Sequence, residues 1–368
     1  MTTSRLHLFL WAALCAVALP SCSSDEPSTP DPIEISNGVF VLNQGSMSAN
    51  LPGTLTYCDY AKSSATQSAF ASANGGNVLG DTPQDALSYG TKLYVAVYQS
   101  NLIRVIDRST LKILKDIRPT AEQGSQPRYL AAADGKVYAS MYDGYAVRID
   151  TASMAIDASV KVGPNPDGVA VYNGNLYVAN SDGMNYLEGY ANGKTLSQID
   201  LKSFTETRKI EVGLNPGAVA ATETGLCFIT RGNYSDIPAQ MKRLKSDGTA
   251  EVIATASLIC SNANTVYFIN APWGGNPVSS VGKFDTTTGQ TSYVSIEAID
   301  FPAAIGVDPI TGDIIITAYN ESHGVADHSG PGYACRFNAQ GQKVGTYTVG
   351  VNPCALTFNT TFIPGSGE

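Results

Sequence analysis

Two sets of residues in this sequence have the types and spacing that chemistry needs. The larger is a mixture of aromatic and amide side chains: Tyr98, Tyr142, Tyr145, Tyr186, Tyr190, Tyr234, Trp273 and Tyr319 recur among Asn43, Gln44, Asn180, Asn270 and Asn320. Arg231 opens one of the segments that carry them. Aromatic faces beside amides suit a large neutral ligand, partly apolar and rich in hydrogen-bonding groups. The smaller set is Glu321, His323, Asp327 and His328, in the run Asn320–His328. Its spacing is not the helical HExxH arrangement, and Gly324 with Gly330-Pro331-Gly332 puts it on a loop. It is expected to face solvent or touch a ligand, without a metal. Apart from His7 near the start, His323 and His328 are the chain's histidines. No nucleophile elbow, P-loop or dinucleotide fingerprint occurs, so the expectation is a binding protein with neither catalytic residues nor a cofactor.

What positions these residues is a repeat, plainest from Asn165 to Asn180. Pro166 opens a short strand at Val169–Tyr172, Asn173-Gly174 turns the chain, and Leu176–Asn180 is a second strand. Valine and tyrosine suit a pleated, half-buried surface, and Asn-Gly tolerates the positive φ of a tight hairpin. Two more strands follow, around Leu196–Asp200 and Thr207–Val212, before Asn215-Pro216 starts again. Copies begin at Pro83, Pro127, Pro166 and Pro216, near Ser257 without the proline, and at Pro302. The spacing of roughly 40 to 50 residues is that of a four-stranded propeller blade. Gly38–Asn43 and Thr54–Asp59 match second and third strands, and Asn352–Phe358 matches a first strand. The two ends therefore complete one further blade, which removes the exposed sheet edge. The expected fold is all-β, a seven-bladed β-propeller closed by its C-terminal strand.

First strands are rich in small residues (Ala131, Ala170, Ala218, Ala303), as the crowded axis requires. Third strands end in Asp59, Asp107, Asp150, Asp200 and Asp285, which read as turn residues accepting backbone hydrogen bonds. Loops joining second to third strands, and blade to blade, open on one face. The remaining turns open on the other and are short: Asp134-Gly135, Asn173-Gly174, Lys245–Gly248. The long insertions (Asn43–Gly53, Ser181–Thr195, Arg231–Gln240, Ala271–Ser279, Asn320–Gly332) share the first face. Length beyond a tight turn is usually kept for function, so that face is the expected working face.

The 368 residues are 43% hydrophobic and carry a formal net charge of −9, with no basic run, which argues against a nucleic-acid partner. Residues 1–21 read as a signal peptide: Arg5, then an apolar Leu8–Leu19 too short for a comfortable membrane span. Leu19-Pro20-Ser21-Cys22 looks like a lipobox, with Cys22 as the lipidated residue and the membrane anchor. Residues 22–36 read as an acidic, proline-bearing tether, 37–363 as the propeller and 364–368 as a tail. Ser23-Ser24-Asp25-Glu26 resembles the export signal that places lipoproteins of the Bacteroidota on the outer face of the outer membrane. Cys58, Cys227, Cys260, Cys335 and Cys354 sit in apolar strand-like stretches and read as buried small hydrophobes.

The repeat Asn-Pro-x-x-Val-Ala…Leu-Tyr-Val-Ala-Asn resembles the YncE-like seven-bladed propellers. Gly38–Gly45, Leu79–Asp85 and Lys92–Tyr98 are similar to a lipoprotein branch of the Bacteroidota that includes surface cobalamin-binding proteins of the BtuG type. That resemblance implies a corrinoid ligand, cobalamin, and delivery to a TonB-dependent outer-membrane transporter. A surface glycan-binding or protein-interaction propeller is the alternative.

Overall fold

Seven four-stranded antiparallel sheets carry the chain. The computed structural model describes residues 31–271 and 277–364. Cys22 and Trp273 lie outside the described residues, as does the tether up to residue 30. Glu34–Thr361 forms one compact unit; of the other, Met1–Ile33 with Phe362–Glu368, the described part is 31–33 and 362–364.

Blade 2 is Pro83–Tyr89, Lys92–Val97, Leu102–Asp107 and Ile113–Ile117. Blade 3 runs Pro127–Ala133, Lys136–Met141, Tyr145–Asp150 and Ala155–Lys161. Blade 4 is Pro166–Tyr172, Asn175–Asn180, Thr195–Asp200 and Thr205–Glu211, and blade 5 is Pro216–Ala221, Leu226–Thr230, Gln240–Leu244 and Ala250–Thr255. Blade 6 is Leu258–Asn262, Thr265–Ile269, Val278–Asp285 and Thr291–Ile299, and blade 7 is Pro302–Val307, Ile314–Ala318, Pro331–Phe337 and Lys343–Val351. Blade 1 takes Pro353–Ile363 as its innermost strand, beside Ile33–Asn43, Thr54–Asp59 and Ser64–Thr66. The closure expected from the half-copies at the chain ends is present. Ser88 N donates to Thr357 Oγ1 at 3.0 Å, tying that last strand to blade 2. The first strand starts at Ile33, inside the segment expected as tether, and Ser36 Oγ bonds Asp308 Oδ2 in blade 7.

The axis is as tight as the small residues imply. A Cβ on Gly168 would lie 2.4 Å from Gly217 O on the next inner strand. Between blades, alternate side chains interdigitate: Tyr138, Val169, Leu176, Val178 and Phe204 pack between blades 3 and 4. Each such fully covered side chain contributes about 1.5–3 kcal/mol relative to exposure. The third-strand aspartates act in turns. Asp107 Oδ1 accepts from Ser109 N and Thr110 N, and Asp285 Oδ1 from Thr287 N and Thr288 N. Sequence periodicity did not indicate the one-turn helix Ala69–Ala73, nor the small hairpin Glu321–Ser322/Val325–Ala326.

Candidate functional site

The working face is built by one backbone device. The residue ahead of each inner-strand proline is left-handed in six blades: Thr82, Gln126, Asn165, Asn215, Phe301 and Asn352 have φ between 46° and 62°. That conformation is uncommon outside glycine and best tolerated by asparagine, which explains the Asn-Pro of the repeat. It turns a carbonyl towards the end of the second strand. There it accepts the N–H of Tyr98 (3.2 Å), Tyr142 (3.0 Å), Ser181 (3.3 Å), Arg231 (2.9 Å), Tyr319 (3.1 Å) and Gln44 (2.8 Å), in the same blade order. Five of the expected site residues thus occupy one equivalent position around the mouth. Blade 6 departs from the pattern: Ser257 Oγ accepts from Ala271 N instead, and Asn270 is exposed beside it.

On one side of this mouth lies a charged cluster on an aromatic wall. Arg128 and Asp167 are the first residues after the inner-strand prolines of blades 3 and 4. In blade 5 that slot is Gly217, and the Arg231 guanidinium fills it: a Cβ there would meet Arg231 Cζ at 2.4 Å. Arg128 Nε stands 3.3 Å from Asp167 Oδ1, and Arg231 Nη1 donates to Asp167 Oδ2. Burial alone would push the Asp167 carboxyl up, but Arg128 and Arg231 outweigh it and hold the carboxyl below the usual carboxylate range. Burial also works against the charge on both arginines, and Asp167 together with the neighbouring tyrosines more than offsets it. The Arg128 guanidinium lies 4.4 Å from the Tyr142 ring centroid, with Tyr129 at 5.7 Å and Tyr98 at 6.0 Å. Tyr98 meets Tyr142 edge-on at 5.7 Å. Tyr190 and Tyr234, from two of the long loops, meet edge-on at 6.2 Å, and Tyr234 is 65% exposed. Beneath the mouth the inner strands of blades 3 to 6 line an open pocket of about 330 Å³, with Ala131, Val169, Val219 and Ile259 among its walls.

Two expected contact residues are held inside the scaffold instead. Asn43 and Asn180 end second strands and are fully buried. Asn180 Nδ2 donates to Thr195 Oγ1 (2.9 Å) and Ser197 Oγ (3.0 Å), while its Oδ1 accepts from Gly163 N (2.9 Å). Asn43 Nδ2 bonds Thr54 Oγ1 and Thr56 Oγ1 in the same way, each at 3.1 Å. Tyr145 packs against the core between blades 2 and 3. Asn320 braces its own loop, donating to Pro331 O at 2.8 Å. Tyr319 keeps its place at the mouth, edge-on to His328 at 4.7 Å, and burial pushes its hydroxyl up to about 12. Tyr186 is 62% exposed on the outer part of its loop.

The loop histidines are not gathered around a metal position. His328 Nδ1 pairs with Asn352 Oδ1 at 2.9 Å, His323 Nδ1 with Ser322 Oγ, and Glu321 Oε1 accepts from Gly324 N. Among the described residues no group of three His, Cys, Asp or Glu side chains could hold a metal ion. Cys58, Cys227, Cys260, Cys335 and Cys354 are free thiols, and burial pushes Cys58, Cys227, Cys260 and Cys354 up to about 12.

The domain of unknown function DUF5074 matches residues 37–359, nearly the whole ring. The chain belongs to the DUF5074 family. No curated protein matches the sequence. Among solved structures, the DUF5074 propeller is similar to a quinonprotein alcohol dehydrogenase-like protein from Bacteroides thetaiotaomicron. That match has TM-score 0.61 and 15% identity, covering 89% of this chain and 79% of the other. It is also similar to a Kuenenia stuttgartiensis hydrazine synthase chain, with TM-score 0.59 and 14% identity, covering 78% of this chain and 96% of that one. At these identities the likeness is one of fold. The mouth of the DUF5074 propeller has to be read from its own residues. Arg128 and Asp167 escaped the sequence reading, although their slot holds Gly217, Ala303 and Cys354 in blades 5, 7 and 1. A charge in a position that is uncharged in blades 1, 2, 5 and 7 was the available signal.

Proposed function

We propose that this DUF5074 propeller is a surface binding protein rather than an enzyme. In this reading it is lipid-anchored through Cys22 on the outer membrane, takes a corrinoid such as cobalamin at its long-loop face and passes it to a TonB-dependent transporter. One observation supports a ligand site there above all. Gln44, Tyr98, Tyr142, Arg231 and Tyr319 stand at equivalent positions around one mouth, each presented by the same backbone bond. Side chains that vary on a constant scaffold are what a recognition surface requires. The tyrosines supply large, stiff apolar faces with hydrogen-bonding hydroxyls, suited to a macrocycle fringed with amides.

The test is direct. The soluble form, lacking residues 1–22, is mixed with cyanocobalamin and desalted, and the visible spectrum of the protein peak is read. Co-eluting corrin absorbance is expected, and a colourless peak overturns the corrinoid reading. Replacing Cys22→Ala in the full chain is expected to release the protein from the membrane fraction; retention would overturn the anchor.

A further inference from the structure

We propose that the mouth of the propeller is an oxyanion site, and that its ligand carries a carboxylate or phosphate group seated between Arg128 and Arg231. This deepens the reading of the long-loop face as ligand-binding and rests on it. One carboxylate balances one guanidinium, yet Asp167 is shared by two, so the cluster keeps a net charge of +1 in a chain whose net charge is −9. A purely structural ion pair needs only one arginine. The two guanidiniums also repel one another, and a second anion would relieve that repulsion.

Accessibility points the same way. The Asp167 side chain is 3% exposed, whereas Arg128 keeps 20% and Arg231 23%: the carboxylate forms the floor and the arginines form the open edge. Tyrosine rings hold Arg128 through its faces, which leaves the N–H groups in the guanidinium plane for an acceptor. Arg128 Nε is buried without a hydrogen-bond partner, and so is Asp167 Oδ1, with which it makes an ion pair at 3.3 Å. Two planar forks around one oxygen-bearing anion is the geometry in which arginine outperforms lysine. The surplus stays at +1 near neutral pH: Asp167 is held below the usual carboxylate range and remains ionised, and both guanidiniums remain protonated.

The test uses the propeller without its signal segment and isothermal titration calorimetry with two probes, inorganic phosphate and methyl glucuronide. Saturable binding of at least one is expected, and the preferred probe tells phosphate from carboxylate. R128Q and R231Q should each weaken it by about tenfold or more. D167N should tighten it several-fold, since the cluster goes from +1 to +2; a merely structural role for Asp167 would not produce a gain. Should an arginine variant fail to fold, binding to the wild-type protein must still fall steadily with added sodium chloride. Absence of saturable binding by either probe, or affinity unchanged in both arginine variants, overturns the proposal. A protein that binds phosphate but stays colourless with cyanocobalamin keeps this site and loses the corrinoid reading. One that colours yet ignores both anions loses this site alone.

Discussion

The Arg231 guanidinium lies against Gly217, in the slot that Arg128 and Asp167 fill with their own side chains in the two preceding blades. Two positions from different strands therefore act as one. Glycine at 217 makes room, and arginine at 231 reaches back over it to Asp167. Blade 5 contributes to the charged mouth although its own inner strand offers no side chain there.

The Gly217→Ala variant separates position from stability. The added methyl would meet the end of a flexible side chain, and Gly217 has no left-handed backbone to strain. The cost in unfolding free energy should stay under about 1 kcal/mol. Displacing Arg231 should nevertheless weaken ligand retention at the mouth, by about tenfold if the guanidinium touches the ligand. Urea unfolding read beside the cyanocobalamin desalting assay checks both. Full retention with Arg231 displaced would remove that residue from the site.

Asn180→Ala should do the reverse. The side chain is fully buried and engages Thr195, Ser197 and Gly163, so its removal strands a buried N–H and two hydroxyls. A loss of about 2–4 kcal/mol is expected. Ligand affinity measured well below the unfolding midpoint should be unchanged. A stable Asn180→Ala protein with lost binding would return this asparagine to the site.

These asparagines show where legibility ended. The ring of blades was readable because propeller strands alternate and six of the seven copies announce themselves with a proline. The working face followed from loop length, and Tyr98, Tyr142, Arg231 and Tyr319 from standing where loops begin. Asn43 and Asn180 stand one residue earlier, and that single step moves a strand side chain from one surface to the other. Their partners were visible as Thr54-x-Thr56 and Thr195-x-Ser197 at the start of the facing strands, a period-2 pair of hydroxyls on one face. Asp167 and Arg128 were harder. Their pairing joins different blades, and no spacing along the chain reports it.

Asp85 gives a dependence on pH. Its carboxyl is pushed up to about 7 by burial, which outweighs the pull of the Leu130 and Ala86 N–H groups it accepts. An ordinary unfolded aspartate titrates near about 3.9. Between these values the folded chain holds a proton that the unfolded chain has released, so stability falls as pH rises through this window and levels off above it. In Asp85→Asn this contribution is gone. The melting temperature of the native protein relative to the variant should therefore decline from about pH 4 to about pH 7. A difference that stays flat across that range would show the carboxyl to be unshifted.

Ring closure supplies the last expectation. Pro353–Ile363 is the innermost strand of blade 1, and within it Cys354 and Ala355 pack in the core shared with Phe40, Leu42 and Leu93. Thr357 Oγ1 accepts from Ser88 N, and Asn352 joins the mouth of blade 7 to Gln44. Ending the chain at Val351 would leave Ile33–Asn43 as an open edge at the axis and expose the faces of blades 2 and 7. Unpaired edges with apolar flanks recruit other chains. The shortened protein should be insoluble or lack a cooperative melt, since no blade holds its core without both neighbours. Adding a peptide of residues 352–363 during refolding should restore a soluble, cooperative species. A truncated chain that melts cooperatively without the peptide would mean that the remaining blades close on their own.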